Sequence, residues 1–191
     1  MADSAADRLA RKWERASPKT RKEVEEFYRA TEDYIEDLRE WNGTPMWKDE
    51  AETVFGWLGK HGCKSVLDFG GGIGTFARLA RERGFRCDYY DISEKSIEYA
   101  RKENKVELAR DISGHYDAVV LLDVVEHLPE PKEVLSGLDA DFIVLNLHGY
   151  VDTPLHVFND VEKLWGIMRG MGYTLAEREG YLSMWQSFRK K

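Results

Sequence analysis

The residues best suited to chemistry fall in two places along the chain. Four glycines, Gly70, Gly71, Gly72 and Gly74, stand in five positions directly after the strand-like run Val66-Leu67-Asp68-Phe69, and Asp68 lies two residues before the first of them. Glycines between a strand and a helix permit positive φ and let a ligand approach the backbone with no Cβ in the way. Asp91 follows about 20 residues on, where a carboxylate can accept hydrogen bonds from ribose hydroxyls. Asp68 is placed to receive charge-assisted hydrogen bonds from an ammonium group and would repel a pyrophosphate. Further along, Asp123, Glu126 and His127 are spaced i, i+3 and i+4 and share one face if a helical turn begins there. With His156, or less favourably His148, they could converge on a substrate, an imidazole near neutrality being the natural proton acceptor. The same side chains could ligate a divalent ion. A base or positioning role for His127, His156 and Glu126 is the preferred reading, and no metal is assigned. His61 and His115 read as surface residues.

These groups need a sheet with its strand ends gathered at one edge. Short apolar runs alternate with helical segments after Gly62: strands at 64–69, 86–91 and 106–110, helices at 74–83 and 94–104, then apolar strands at 116–122 and 142–147. Near-continuous apolar runs are those of strands buried on both faces, and the alternation implies a parallel sheet with right-handed crossovers. Asn159 caps a helix from 160 to about 169, and runs at 173–178 and 182–188 flank Gly180 as a terminal antiparallel hairpin. The expectation is a doubly wound, Rossmann-like α/β fold of seven strands. Ahead of it, Val24, Tyr28, Thr31, Ile35 and Leu38 form a stripe predicting one amphipathic helix over 19–41, stopped by Asn42-Gly43 and Pro45, with another helix over 48–60. Residues 1–60 are thus a helical extension or lid, whose Tyr28, Tyr34, Trp41 and Trp47 offer aromatic faces to a ligand, and 61–191 the binding domain.

Composition narrows the function. A chain of 191 residues, 42% hydrophobic, builds one core. Formal net charge is -7, which gives no phosphate-tracking basic surface and disfavours a nucleic-acid partner. No stretch resembles a membrane span or a signal peptide, so the cytoplasm is the expected compartment. Cys63 and Cys87, the two cysteines, have neither zinc-type nor disulfide-framework spacing and are expected as free thiols.

Gly72, Gly74 and Ala77 also satisfy a dinucleotide GxGxxA pattern, so the glycine turn alone does not choose the cofactor. Taken in order, VLDFGGGIGTFARLA, CDYYDIS, LARDIS and YDAVVLLDVVEHLPEP resemble the successive motifs of class I S-adenosylmethionine-dependent methyltransferases, over roughly residues 64–147. The DVVEHLPEP segment is most similar to small-molecule enzymes of the ubiquinone-biosynthesis O-methyltransferase kind. The resemblance implies S-adenosylmethionine as cofactor. Asp68, Gly70, Gly71 and Gly72 would hold its methionine end, Asp91 its ribose, Asp111 and Ile112 its adenine, and Leu122 and Asp123 the region of the sulfonium, with Ile92 also among the cofactor-binding residues. Some methyltransferases with a similar ExxEH segment hold a metal there, and this chain has Asp123 at the first position. The expected reaction is methyl transfer to oxygen or nitrogen of a small molecule, whose identity and the oligomeric state no motif encodes. A nicotinamide-dependent oxidoreductase and a non-catalytic cofactor-binding protein are the alternatives.

Overall fold

The computed structural model describes residues 4–147, 153–179 and 184–191. Four helices come first: α1 (Ala5–Ala16), α2 (Arg21–Ala30), α3 (Asp33–Asn42) and α4 (Pro45–Lys60). The remainder alternates as β1 (Ser65–Phe69), α5 (Thr75–Glu82), β2 (Arg86–Tyr90), α6 (Glu94–Tyr99), β3 (Tyr116–Leu121), α7 (Pro131–Leu135), β4 (Ala140–Leu147), α8 (Val161–Gly170), β5 (Tyr173–Glu179) and β6 (Met184–Lys190). The sheet runs β2-β1-β3-β4-β6-β5, parallel through β4 and antiparallel in the last two strands. The α/β expectation and the terminal hairpin hold. Strand order reverses between β1 and β3, which opens a crevice at their carboxyl ends.

The sheet has six strands among the described residues, where the sequence suggested seven. Residues 106–110 pair only through one isolated bridge, Tyr89 to Leu108. Val106 is buried in the core at 1% exposure whereas Leu108 is 38% exposed, so the segment is anchored at its start and does not extend into a ladder. The helix predicted over 94–104 tightens into α6 and then relaxes into a π-turn at Ala100–Asn104.

The single helix predicted over 19–41 is two. The Thr31 hydroxyl donates to the Phe27 carbonyl at 2.7 Å and Thr31 itself is extended (φ -90°, ψ 118°), which ends α2. Spacing of apolar residues survives such a break, so the stripe hides it. Pro45 opens a helix where it was expected to prevent one. Proline at the first helical position gives up an amide that has no partner there, and the Thr44 hydroxyl accepts from the Trp47 amide at 3.1 Å. Asp160, one residue after the expected Asn159, caps α8 through the Lys163 amide.

Two apolar layers sandwich the sheet. One joins α4 and α5 through Val54, Phe55, Leu58, Phe76 and Ala77 to Val66, Val120 and Val144. The other sets Leu164 and Met168 of α8 against Leu67, Val119, Ile143 and Leu145. Helix α4 therefore belongs to the main core. Helices α1 to α3 carry a cluster of their own, Leu9, Trp13, Val24, Phe27 and Tyr28, closed by Leu155. No described helix is long and apolar enough to cross a membrane. Cys63 and Cys87 are buried free thiols.

Candidate functional site

The glycine turn is built from its backbone outward. Gly70, Gly72 and Gly74 take φ of 73°, 53° and 76°, a region in which a Cβ is strained. The amides of Gly70 and Gly71 donate to the Tyr90 carbonyl at 2.8 and 3.1 Å, which folds the turn over the end of β2. Asp91 locks it there: one carboxylate oxygen accepts from the Gly72 amide at 2.8 Å and the other from the Ser93 amide at 2.7 Å. The Tyr89 hydroxyl donates to the Gly72 carbonyl at 2.6 Å from below. Burial pushes the Asp91 carboxyl up to about 6, opposed by its amide hydrogen bonds.

Asp68 lies beneath this turn and is 1% exposed. Its carboxylate accepts from the Ala77 amide at 3.1 Å, in the first turn of α5, and burial pushes it up to about 7. A Cβ on Gly71 would fall 2.4 Å from the same carboxylate, so Gly71 is needed for the turn to pass over Asp68.

At the end of β3 the chain turns sharply at Asp123, a non-glycine residue with φ 55°. Such a conformation costs on the order of 1 kcal/mol and persists where its surroundings hold it. Asn146, fully buried on β4, does so: its side-chain oxygen accepts from the Asp123 amide at 2.7 Å and its side-chain nitrogen donates to the Asp123 carboxylate. The other Asp123 oxygen accepts from the Trp41 indole at 2.7 Å, which ties α3 to the sheet. Leu38, one turn earlier on α3, packs on the glycine turn, since a Cβ on Gly72 would meet its Cδ1 at 2.8 Å.

Val125–His127 form one 3-10 turn. Glu126 is fully buried, and its carbonyl accepts from the amides of Val157 and Phe158 at 2.8 and 3.0 Å. The His127 ring stands 3.0 Å from the Leu155 carbonyl through Nδ1 and 5.2 Å from the His156 ring between centroids. A proton on Nδ1, donated to that carbonyl, leaves Nε2 with the lone pair a base requires. One carboxylate oxygen of Glu126 and one nitrogen each of His127 and His156 lie within 4.8 Å of one another.

A cleft unites much of this. Of the residues expected from sequence, Gly70, Asp91, Ile92, Asp123 and His127 line it. Gly71 and Gly72 shape its turn, and Glu126 and His156 adjoin His127. Others lie elsewhere. Asp111 is exposed and accepts from the Ser113 amide at 2.8 Å as a turn residue, Ile112 packs on the α8 side of the sheet, and Leu122 on the α4 side. His148 falls outside the described residues. His61 reaches Glu177 at 3.1 Å and His115 stands 3.3 Å from Asp139, both at the opposite end of the sheet. Of the four aromatics expected at a ligand, Tyr28 and Tyr34 line the cleft, Trp41 holds Asp123, and Trp47 is buried in the α4 core. The sequence reading missed Asn146, although a lone polar residue in the apolar run of β4 is a signal, and it missed Phe69, Tyr90 and Val124, which line the cleft as ordinary strand-end residues.

Comparison with known proteins agrees with this geometry. Residues 2–141 match a family described as a methyltransferase domain. The ubiquinone biosynthesis O-methyltransferase of Dechloromonas aromatica is 32% identical over 104 residues, 48% of this chain and 42% of that protein. Glycine N-methyltransferase of Oryctolagus cuniculus is 31% identical over 102 residues, 41% of this chain and 35% of that protein. The matches thus span less than half the length of these relatives. Magnesium protoporphyrin IX methyltransferase from Synechocystis PCC 6803, solved with bound S-adenosylhomocysteine, shares the fold at a TM-score of 0.70 and 19% identity, over 88% of this chain and 98% of that one. The methyltransferase domain of a bacterial Hen1 protein aligns at 0.59 and 20% identity, over 73% and 97%.

Proposed function

Because this chain belongs to the methyltransferase-domain family, of the class I S-adenosylmethionine-dependent kind, we propose that it moves the methyl group of S-adenosylmethionine to an oxygen or nitrogen of a small-molecule acceptor. The observation that carries the proposal is the cleft at the switch between β1 and β3, in which the glycine turn, Asp91 and His127 face one space. The backbone of the turn through Gly70, Gly71 and Gly72 is the element that meets the methionine end, and the Asp91 oxygens, each already holding one backbone amide, retain lone pairs for the ribose hydroxyls. Transfer from a sulfonium is an in-line displacement, so catalysis comes chiefly from holding nucleophile, methyl and sulfur in line. Where the nucleophile carries a proton, His127 Nε2 or the adjoining His156 takes it, and the buried Glu126 stabilises the imidazolium. The net acidic balance of the chain supports a small acceptor over nucleic acid.

Thermal-shift titration tests the cofactor: S-adenosylhomocysteine raises Tm in a concentration-dependent way and NAD does not. The reverse result would establish the oxidoreductase reading. With a turned-over acceptor in hand, His127→Ala and His156→Ala lower kcat while S-adenosylhomocysteine affinity stays within about twofold. A second reading draws on the 4.8 Å convergence of Glu126, His127 and His156, a spread compatible with three ligands of one divalent ion that would hold the acceptor's hydroxyls. Activity that survives a chelator eliminates it.

A further inference from the structure

Tyr28 holds a hydroxyl that the packing of α2 does not use. The residue is 7% exposed, and its ring meets Phe27 edge-on at 5.5 Å, Tyr34 at 4.8 Å and the His127 ring at 5.8 Å. A phenylalanine would satisfy every one of those contacts. The hydroxyl is nevertheless out of reach of water and has no hydrogen-bond partner among the described residues, while its ring lines the cleft that holds His127. A buried hydroxyl left without a partner lowers stability, and buried polar groups are otherwise paired in folded proteins. Burial together with the charges of Glu126 and Asp37 drives its ionisation well above the ordinary range, so it remains a neutral donor.

The surrounding chemistry limits what that donor can meet. Val24, Tyr34, Phe69 and Tyr90 give the cleft apolar and aromatic walls. Arg21 stands at the same cleft, but its guanidinium is 2.9 Å from Glu25, and Asp91 and Asp123 are the other charged residues lining it beside His127. The lining is therefore acidic on balance and offers no surplus cation to a carboxylate or phosphate.

On the reading that this cleft takes the methyl acceptor, we propose that Tyr28 is an acceptor-binding residue supplied by the N-terminal helices. Its hydroxyl donates a hydrogen bond to an oxygen of an uncharged, ring-bearing acceptor whose reacting atom faces His127. The helices before the sheet then do more than cover it, because they supply a specificity contact.

Phenol and toluene, which differ by a hydroxyl for a methyl, serve as probes in titrations followed by NMR with S-adenosylhomocysteine saturating. Wild type binds phenol roughly five- to tenfold better than toluene, the worth of one neutral hydrogen bond, and Tyr28→Phe loses that preference while keeping its affinity for toluene and for S-adenosylhomocysteine. Without ligand, Tyr28→Phe raises Tm by a few degrees, since it removes an unpaired buried group. Absence of phenol binding, equal affinities in wild type, or an unchanged preference in the variant overturns the proposal. A lowered Tm in Tyr28→Phe overturns it too, by giving the hydroxyl to the fold. Failure of S-adenosylhomocysteine to bind wild type strikes instead at the methyltransferase reading.

Discussion

Asp68→Asn separates two roles for the same carboxylate. The sequence expectation gives Asp68 to the ammonium of a bound cofactor, whereas its place beneath the turn, with the Ala77 amide at 3.1 Å, gives it to the local fold. Its carboxyl is pushed from 3.8 up to about 7, mainly by burial and further by the charge of Asp91. That rise corresponds to about 4 kcal/mol of disfavour for the ionised form in the folded chain. The sign follows from the direction. Above pH 7 the folded protein carries the charge at this full cost. As the pH falls through 7 the folded state takes up a proton that the unfolded chain does not bind until about pH 4, so stability from this group rises between pH 8 and pH 5. Asparagine imitates the protonated acid and can still accept from Ala77, and the help this amide gives the charged form is already contained in the net rise. Asp68→Asn is therefore expected to stabilise the ligand-free protein by up to about 4 kcal/mol at pH 8, a Tm rise of up to roughly 15 °C, and by about 3 kcal/mol less at pH 5. Thermal unfolding followed by circular dichroism at the two pH values measures this, and calorimetric titration with S-adenosylhomocysteine supplies the second reading, expected within about twofold of wild type. A lower Tm at pH 8 would refute the burial argument. An affinity loss beyond about tenfold would return the carboxylate to the ligand.

Four further outcomes follow from the same geometry. Asp91→Ala weakens S-adenosylhomocysteine by about 1 to 3 kcal/mol, because it removes the ribose acceptor and frees the Gly72 and Ser93 amides; equal affinities in calorimetry would void the ribose assignment. Gly72→Val abolishes binding and lowers Tm, since its Cβ would lie 2.8 Å from Leu38 Cδ1 at a φ of 53° that a β-branched residue resists; wild-type affinity in this variant would show that the turn is not the binding element. Trp41→Phe removes the bond to Asp123 and speeds amide exchange across residues 33–42, and saturating S-adenosylhomocysteine slows exchange over 24–47 in wild type. Exchange unchanged by ligand would leave the N-terminal helices as scaffold.

What could be read from the sequence was what short stretches of backbone decide. Strand, glycine turn and helix follow one another within some twenty residues, and positive φ at Gly70, Gly72 and Gly74 excludes most other residue types, so turn and neighbouring Asp91 were visible as residues alone. Apolar runs 116–122 and 142–147 likewise announced β3 and β4, because strands buried on both faces admit few polar residues. The lone exception in the second run, Asn146, was legible as an anomaly but not as a partner.

The remaining features needed the chain folded, since each depends on groups distant in sequence. Trp41 meets Asp123 across 82 positions, and nothing local to either residue encodes that bond. Apolar spacing alone could not reveal the break at Thr31, yet it is this break that lets α2 bring Tyr28 to the cleft while α3 sets Leu38 on the glycine turn. Whether Asp68 and Asp111 face a ligand, a helix amide or water is decided by which layer covers them, and the same carboxylate type ends up 1% exposed in one case and in an open turn in the other. Residues 106–110 have the composition of a strand but stop at one bridge, because a strand is completed by the neighbours that bury it. Sequence fixes the local backbone through allowed φ and ψ; tertiary packing alone decides exposure, pairing and the direction in which each functional side chain points.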